Sequence, residues 1–135
     1  MTARYSNFDT REIGKRLYQL LDDLVFYDDV LGPITAVKGF VTNYASIDGL
    51  KNIVLFPVYA LLAGYGDKSA TVHDFLYNRG GFINLNGVFV KVSRIEADRV
   101  LYRALRAEGV ARWRASVFFI GVRLFGSKYY LPLNN

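Results

Sequence analysis

The chain reads as an α+β fold, with an N-terminal β-hairpin or small antiparallel sheet followed by a mainly helical half of three to four packed helices. Three observations predict it. Residues 17–28 and 34–42 are rich in β-branched and aromatic side chains, and Asp28-Asp29 and Gly32-Pro33 interrupt them as turn signals. Ser93-Arg94-Ile95-Glu96 is a capping box at a helix start. Beyond it, Ile95, Leu101, Tyr102 and Leu105 fall on one helical face by i, i+3, i+4 spacing.

Taken in order, residues 1–16 are polar and read as an irregular arm, with a short helix around Glu12 as the alternative; residues 17–135 form one compact domain. Residues 17–42 supply the hairpin or adjacent strands, and residues 43–50 a loop. Residues 52–62 are apolar with Pro57 inside, which predicts a short buried helix ended by Gly64-Tyr65-Gly66. Asp67 or Ser69 caps a helix to about Asn78, stopped by Gly80-Gly81. Residues 82–92 alternate around Asn86-Gly87, a hairpin signal. The helix capped at Ser93 runs to Glu108 before Gly109, and a last helix runs from Ala111 to Phe125 before Gly126.

Composition narrows the chemistry. The 135 residues contain no cysteine, which removes thiol nucleophiles, disulfides and Cys-type zinc sites, and one histidine, so any imidazole chemistry passes through His73. No apolar run approaches the ~20 residues of a membrane span, and the polar N-terminus carries no secretory h-region, which predicts synthesis and folding in a cytoplasm. Charge is uneven: residues 1–90 carry a net −1 and residues 91–135 a net +6. That excess suits phosphates of an anionic lipid surface or a nucleic acid, or an acidic partner; its plain structural meaning is a solvated helix face. No nucleic-acid-binding motif accompanies it, so basic charge alone predicts only non-specific contact.

Asp98 is the anomaly. It occupies the apolar face of its helix, while Glu96, Arg99, Arg103 and Arg106 lie opposite. A buried carboxylate needs hydrogen-bonding or charged partners. His73 and Tyr77, one turn apart on the 69–79 helix, supply donors. An Asp that holds one imidazole nitrogen fixes the tautomer and leaves the other nitrogen to take a proton from water. Asp74, on an adjacent face, is a candidate oxygen ligand for a hard cation with carbonyls from residues 42–44 or 64–66. The structural alternative is a polar network that fixes helix packing. Ser46 lacks the G-x-S-x-G setting of a nucleophile elbow, and nothing matches a phosphate loop or dinucleotide fingerprint. Trp113, Phe118, Phe119 and Phe125 form an aromatic stripe suited to core, a subunit contact or a membrane-facing surface.

The segments GFVTNYAS (39–46), ATVHDFLY (70–77), SRIEADRVLYRAL (93–105) and VRLFG (122–126) resemble, in order and spacing, domain of unknown function 1353, a family of tailed phages and prophages. The resemblance covers about residues 17–126 and implies a phage or prophage origin, with a virion component such as a tail or capsid adaptor as one role. Asn43 stands where an Asp is usual in that family. A narrower resemblance links His73-Asp74-x-x-Tyr77 and the later Ala97-Asp98 to the secreted phospholipase A-two superfamily. It implies His73 as general base, Asp74 as calcium ligand, Asp98 as orienting acid and Tyr77 as its support. The Asn43 side-chain carbonyl, standing where the phage family has an Asp, is a weaker candidate oxygen ligand. The expected function is therefore a phage-encoded hydrolase acting on bacterial envelope esters, delivered in the virion or at lysis; the alternative is a non-catalytic virion component, possible as an oligomer, in which His73, Asp98 and Tyr77 only stabilise the fold.

Overall fold

Alternation along residues 24–28 decides the architecture, because Leu24, Phe26 and Asp28 turn inward while Val25 and Tyr27 are only half-buried. A computed structural model of the chain describes residues 4–6, 10–14, 17–42, 67–127 and 130. Within them, β1 (Arg4–Tyr5), β4 (Leu24–Asp28), β5 (Gly32–Ala36), β7 (Gly81–Ile83) and β8 (Phe89–Lys91) form an antiparallel sheet in the order β1-β4-β5-β7-β8. A second sheet orders β2 (Thr10–Gly14), β3 (Leu17–Leu20) and β6 (Val41–Thr42) as β2-β3-β6. Three helices follow: α1 (Asp67–Arg79), α2 (Arg94–Ala107) and α3 (Arg112–Phe125). The α+β expectation, sheet first and helices after, is what the structure has.

Two local expectations change. Residues 4–5 and 10–14 are strands rather than an irregular arm or a helix around Glu12, since each finds an antiparallel partner in the 17–28 region. Residues 17–28 are two strands in different sheets, separated at Leu21–Asp23; the hairpin is β4–β5, turning at residues 29–31. The loop at 43–50 and the helix around Pro57 lie outside the described residues. The Ser93 capping box forms as expected: its hydroxyl accepts from the Glu96 amide at 3.2 Å, and Glu96 accepts from the Ser93 amide at 2.9 Å.

The core has two parts. Phe26, Ile34 and Ala36 of the larger sheet meet Val72, Leu76, Val100 and Ala104 of α1 and α2. On the far side, Ala70, Leu101 and Leu105 meet Ala115, Phe118 and Val122 of α3. The layers are thus sheet, then α1 with α2, then α3.

Arg103 leaves the solvated face the sequence assigned to it. Its guanidinium grips buried Asp28 through two bonds of 2.6 and 3.0 Å, fastening α2 to the end of β4. Asp28 also accepts from the amides of Val30 and Leu31, so one carboxylate sets the hairpin turn and docks the helix. Asp28→Ala removes both functions and is expected to cost about 2–3 kcal/mol in denaturant unfolding. Asp28→Asn keeps a turn acceptor and is expected to cost less.

Candidate functional site

The capping box fixes where α2 begins and therefore which residue faces inward one turn later. That residue is Asp98, fully buried. Three side chains from two other helices converge on it. His73 Nε2 lies 2.7 Å from Oδ1, and the Tyr77 hydroxyl donates to the same oxygen at 2.5 Å. Arg123 of α3 donates to Oδ2 at 2.8 Å. His73 and Tyr77 come together because residues four apart in α1 are stacked on one face; their rings are 4.0 Å apart between centroids. Asp98, His73 and Tyr77, united in advance by the sequence pattern, are thus in direct contact.

Burial alone would raise the Asp98 pKa, but hydrogen bonds and charge from His73, with the Tyr77 and Arg123 donors, outweigh it and hold the carboxyl below its ordinary 3.8. Asp98 is therefore an acceptor, so the hydrogen in the His73 contact sits on Nε2, and Nδ1 is the nitrogen through which a neutral ring accepts. The Tyr77 hydroxyl moves the opposite way: burial and the Asp98 carboxylate both raise its pKa, so it remains a donor.

The end of α3 is shaped around this cluster. Arg94 donates to the Val122 and Arg123 carbonyls at 2.9 and 2.7 Å; the Val122 carbonyl also accepts from the Gly126 amide at 2.8 Å, so Arg94 joins the bonding at the helix C-terminus. A Cβ at Gly126 would stand 2.5 Å from the Val122 carbonyl oxygen and 3.1 Å from the Tyr77 hydroxyl, so only glycine lets the chain leave α3 against Tyr77. Tyr130 then packs edge-on to Tyr77 at 5.3 Å and donates to the Val92 carbonyl at 3.1 Å.

Asp74 occupies the neighbouring face of α1, where its Oδ2 accepts from the Thr42 hydroxyl at 2.5 Å. This buried contact joins α1 to β6. Among the described residues no three His, Asp or Glu side chains gather as metal ligands. Asn43, Ser46 and the 64–66 glycines lie outside the described residues. The aromatic stripe divides: Phe118 is core, Phe119 half-buried and Trp113 53% exposed, while the Phe125 side chain is outside the described set. Trp113 shares its outer face with Ile120 and Leu124.

Sequence reasoning missed three participants. Arg123, an arginine among apolar neighbours, is the natural counter-charge for an aspartate that breaks another helix's apolar face. Arg94 looked like an ordinary first-turn residue. Residues 42–44 were expected near Asp74 only for their carbonyls; it is the Thr42 hydroxyl that meets the Asp74 carboxylate.

A family model described as Protein of unknown function (DUF1353) matches residues 18–122. No curated protein and no solved structure gives a significant match.

The depressed Asp98 pKa sets the sign of an acid dependence. Its contribution to stability is complete above the ordinary value of 3.8 and is lost as the pH falls through the lower folded value. Asp98→Asn is expected to lower stability at pH 7 by roughly 2 kcal/mol and to flatten the loss of stability below pH ~4, both read from denaturant unfolding across pH. An unchanged acid profile would contradict this.

Proposed function

The chain belongs to the DUF1353 family of proteins of unknown function, and from its His73–Asp98 geometry we propose that it is a small phage-encoded hydrolase, with His73 as general base on ester bonds of the bacterial envelope. The observation that carries this reading is the Nε2 contact to Asp98 at 2.7 Å, with Tyr77 holding the same carboxylate oxygen. A carboxylate that accepts from Nε2 orients the ring and stabilises the imidazolium that forms when Nδ1 takes a proton. In the reaction, water adds to the ester carbonyl as Nδ1 removes its proton. Collapse of the tetrahedral adduct breaks the carbonyl–alkoxy bond, and the imidazolium returns the proton to the departing alcohol.

The narrower phospholipase-like resemblance supports the same roles, since it assigns base, orienting acid and supporting tyrosine to His73, Asp98 and Tyr77. A phospholipid is the ester this reading favours. The net +6 of residues 91–135 suits an anionic bilayer surface, and the exposed Trp113, Ile120 and Leu124 offer apolar contact beside it.

One observation favours a second reading. His73 and Asp98 are both fully buried, and Arg123 already neutralises the carboxylate. In that reading the cluster is an internal brace locking α1, α2 and α3 in a non-catalytic virion component.

Fatty-acid release from mixed phosphatidylglycerol–phosphatidylethanolamine vesicles separates the two, measured with calcium and with chelator. The hydrolase reading expects turnover that falls roughly a hundredfold or more in His73→Gln while the variant stays folded. Equal release by wild type and variant, or none by either, would leave the brace.

A further inference from the structure

The described surface contains a recess that the His73 cluster does not use. It lies between the β5–β6 turn and the C-terminal end of α1, has a volume of about 470 Å³, and is lined by Lys38, Gly39, Phe40, Val41, Asn78 and Arg79, with Val37 behind. Its lining is one-sided in charge: it includes Lys38, Arg79 and Asn78 and, among the described residues, no carboxylate-bearing residue. Among the described residues neither Lys38 nor Arg79 is in an ion pair.

The exposed Arg79 guanidinium has an aromatic neighbour. It lies over the Phe75 ring at 5.6 Å, and Phe75 is itself fixed edge-on to buried Phe40 at 5.1 Å. A cation–π contact of this kind uses none of the guanidinium N–H donors, which remain able to bind an anion. The turn is fixed: Lys38 N–H donates to Asp23 at 2.7 Å, and Gly39 N–H to the Leu20 carbonyl at 2.9 Å. Gly39 adopts φ +89°, and a Cβ there would meet nothing within 4 Å, so the backbone presents a bare surface to the recess. Asn78 stands one turn beyond Asp74 on α1, which puts the recess on the Asp74–Thr42 side of the helix.

We propose that this recess is an oxyanion-binding site for a phosphate group, with Lys38 and Arg79 sharing the negative charge and the Asn78 amide donating to it. Lysine supplies a point charge and arginine a directed pair of donors, a combination suited to a tetrahedral phosphate. As the seat for the phosphate of a phospholipid substrate the site rests on the hydrolase reading; as a binding site it stands without that reading.

The test is titration of the uniformly ¹⁵N-labelled full chain with inorganic phosphate, with monomeric dihexanoyl phosphatidylglycerol, and with dihexanoylglycerol as a phosphate-free control. Saturable shifts of the Gly39 and Asn78 amides are expected with phosphate ligands and not with dihexanoylglycerol. Response to both phosphate ligands identifies the free anion as sufficient, and response to the lipid alone identifies a headgroup site; either supports the proposal. Lys38→Gln with Arg79→Gln is expected to weaken binding roughly tenfold or more. Lys38→Gln alone, at an exposed position with no packing to lose, is expected to weaken it severalfold. No saturable shift with either phosphate ligand, or unchanged affinity in the folded variants, overturns the proposal. His73→Gln is expected to bind phosphate like wild type, so loss of vesicle hydrolysis with binding retained counts against neither its geometry nor its ligand, and a wild type that binds without turning over retires only the hydrolase.

Discussion

A charge in the middle of three helices is the constraint on which the rest depends. An ionised carboxylate removed from water costs several kcal/mol unless donors replace its hydration. Asp98 sits on α2, but every donor that replaces its water comes from elsewhere: His73 and Tyr77 from α1, and Arg123 from α3. The carboxylate is satisfied only when all three helices are docked in one register. Apolar packing of Leu101, Leu105, Phe118 and Val122 supplies the cohesion, but such contacts tolerate sliding; the Asp98 cluster does not. Arg94 and Gly126 extend that constraint to the end of α3, one by donating to its last carbonyls and the other by leaving room for the Tyr77 hydroxyl.

Helix α1 carries two kinds of polar group on adjacent faces. His73 and Tyr77 look toward α2, whereas Asp74 meets β6 and Asn78 lines the recess beside the β5–β6 turn. The helix therefore connects the buried imidazole to the basic recess through successive turns of one rigid element. Under the two proposals, a proton-handling group and an anion seat would share one helix, an arrangement that suits an ester carrying a phosphate. The same helix is also tied to α2 and β1 through Ser69, which accepts from Tyr5 and donates to Glu108, both at 2.9 Å. Both ends of the site are thus braced from outside it.

The helical half was legible in the sequence because its signals are local. A capping box, terminal glycines and i, i+3, i+4 spacing mark α2 and α3 within a residue or two, and one acid on an apolar face points to His73 and Tyr77. The strands were less legible because pairing is non-local. Arg4–Tyr5 and Thr10–Gly14 carry a polar pattern and become strands only through β4 and β3. The split of residues 17–28 between two sheets has no signature in composition. Arg103 was misplaced for a similar reason: helical periodicity assigns a face, but a long side chain reaches past it to Asp28. Arg123, and the use of the Thr42 hydroxyl rather than a carbonyl of residues 42–44, required knowledge of which atoms touch, which a single sequence does not hold.

The central claim concerns one atom: Asp98 holds His73 through Nε2 and directs Nδ1 toward any reaction the ring performs. With only one histidine in the chain, its imidazole nitrogens can be read without ambiguity. An imidazole-selective ¹⁵N–¹H spectrum is the direct measurement. The expected result is hydrogen on Nε2, protected from exchange and deshielded by the carboxylate, with both features weakened in Asp98→Asn. A neutral ring with its hydrogen on Nδ1, or an Nε2–H that exchanges as in a solvent-exposed imidazole, would contradict it.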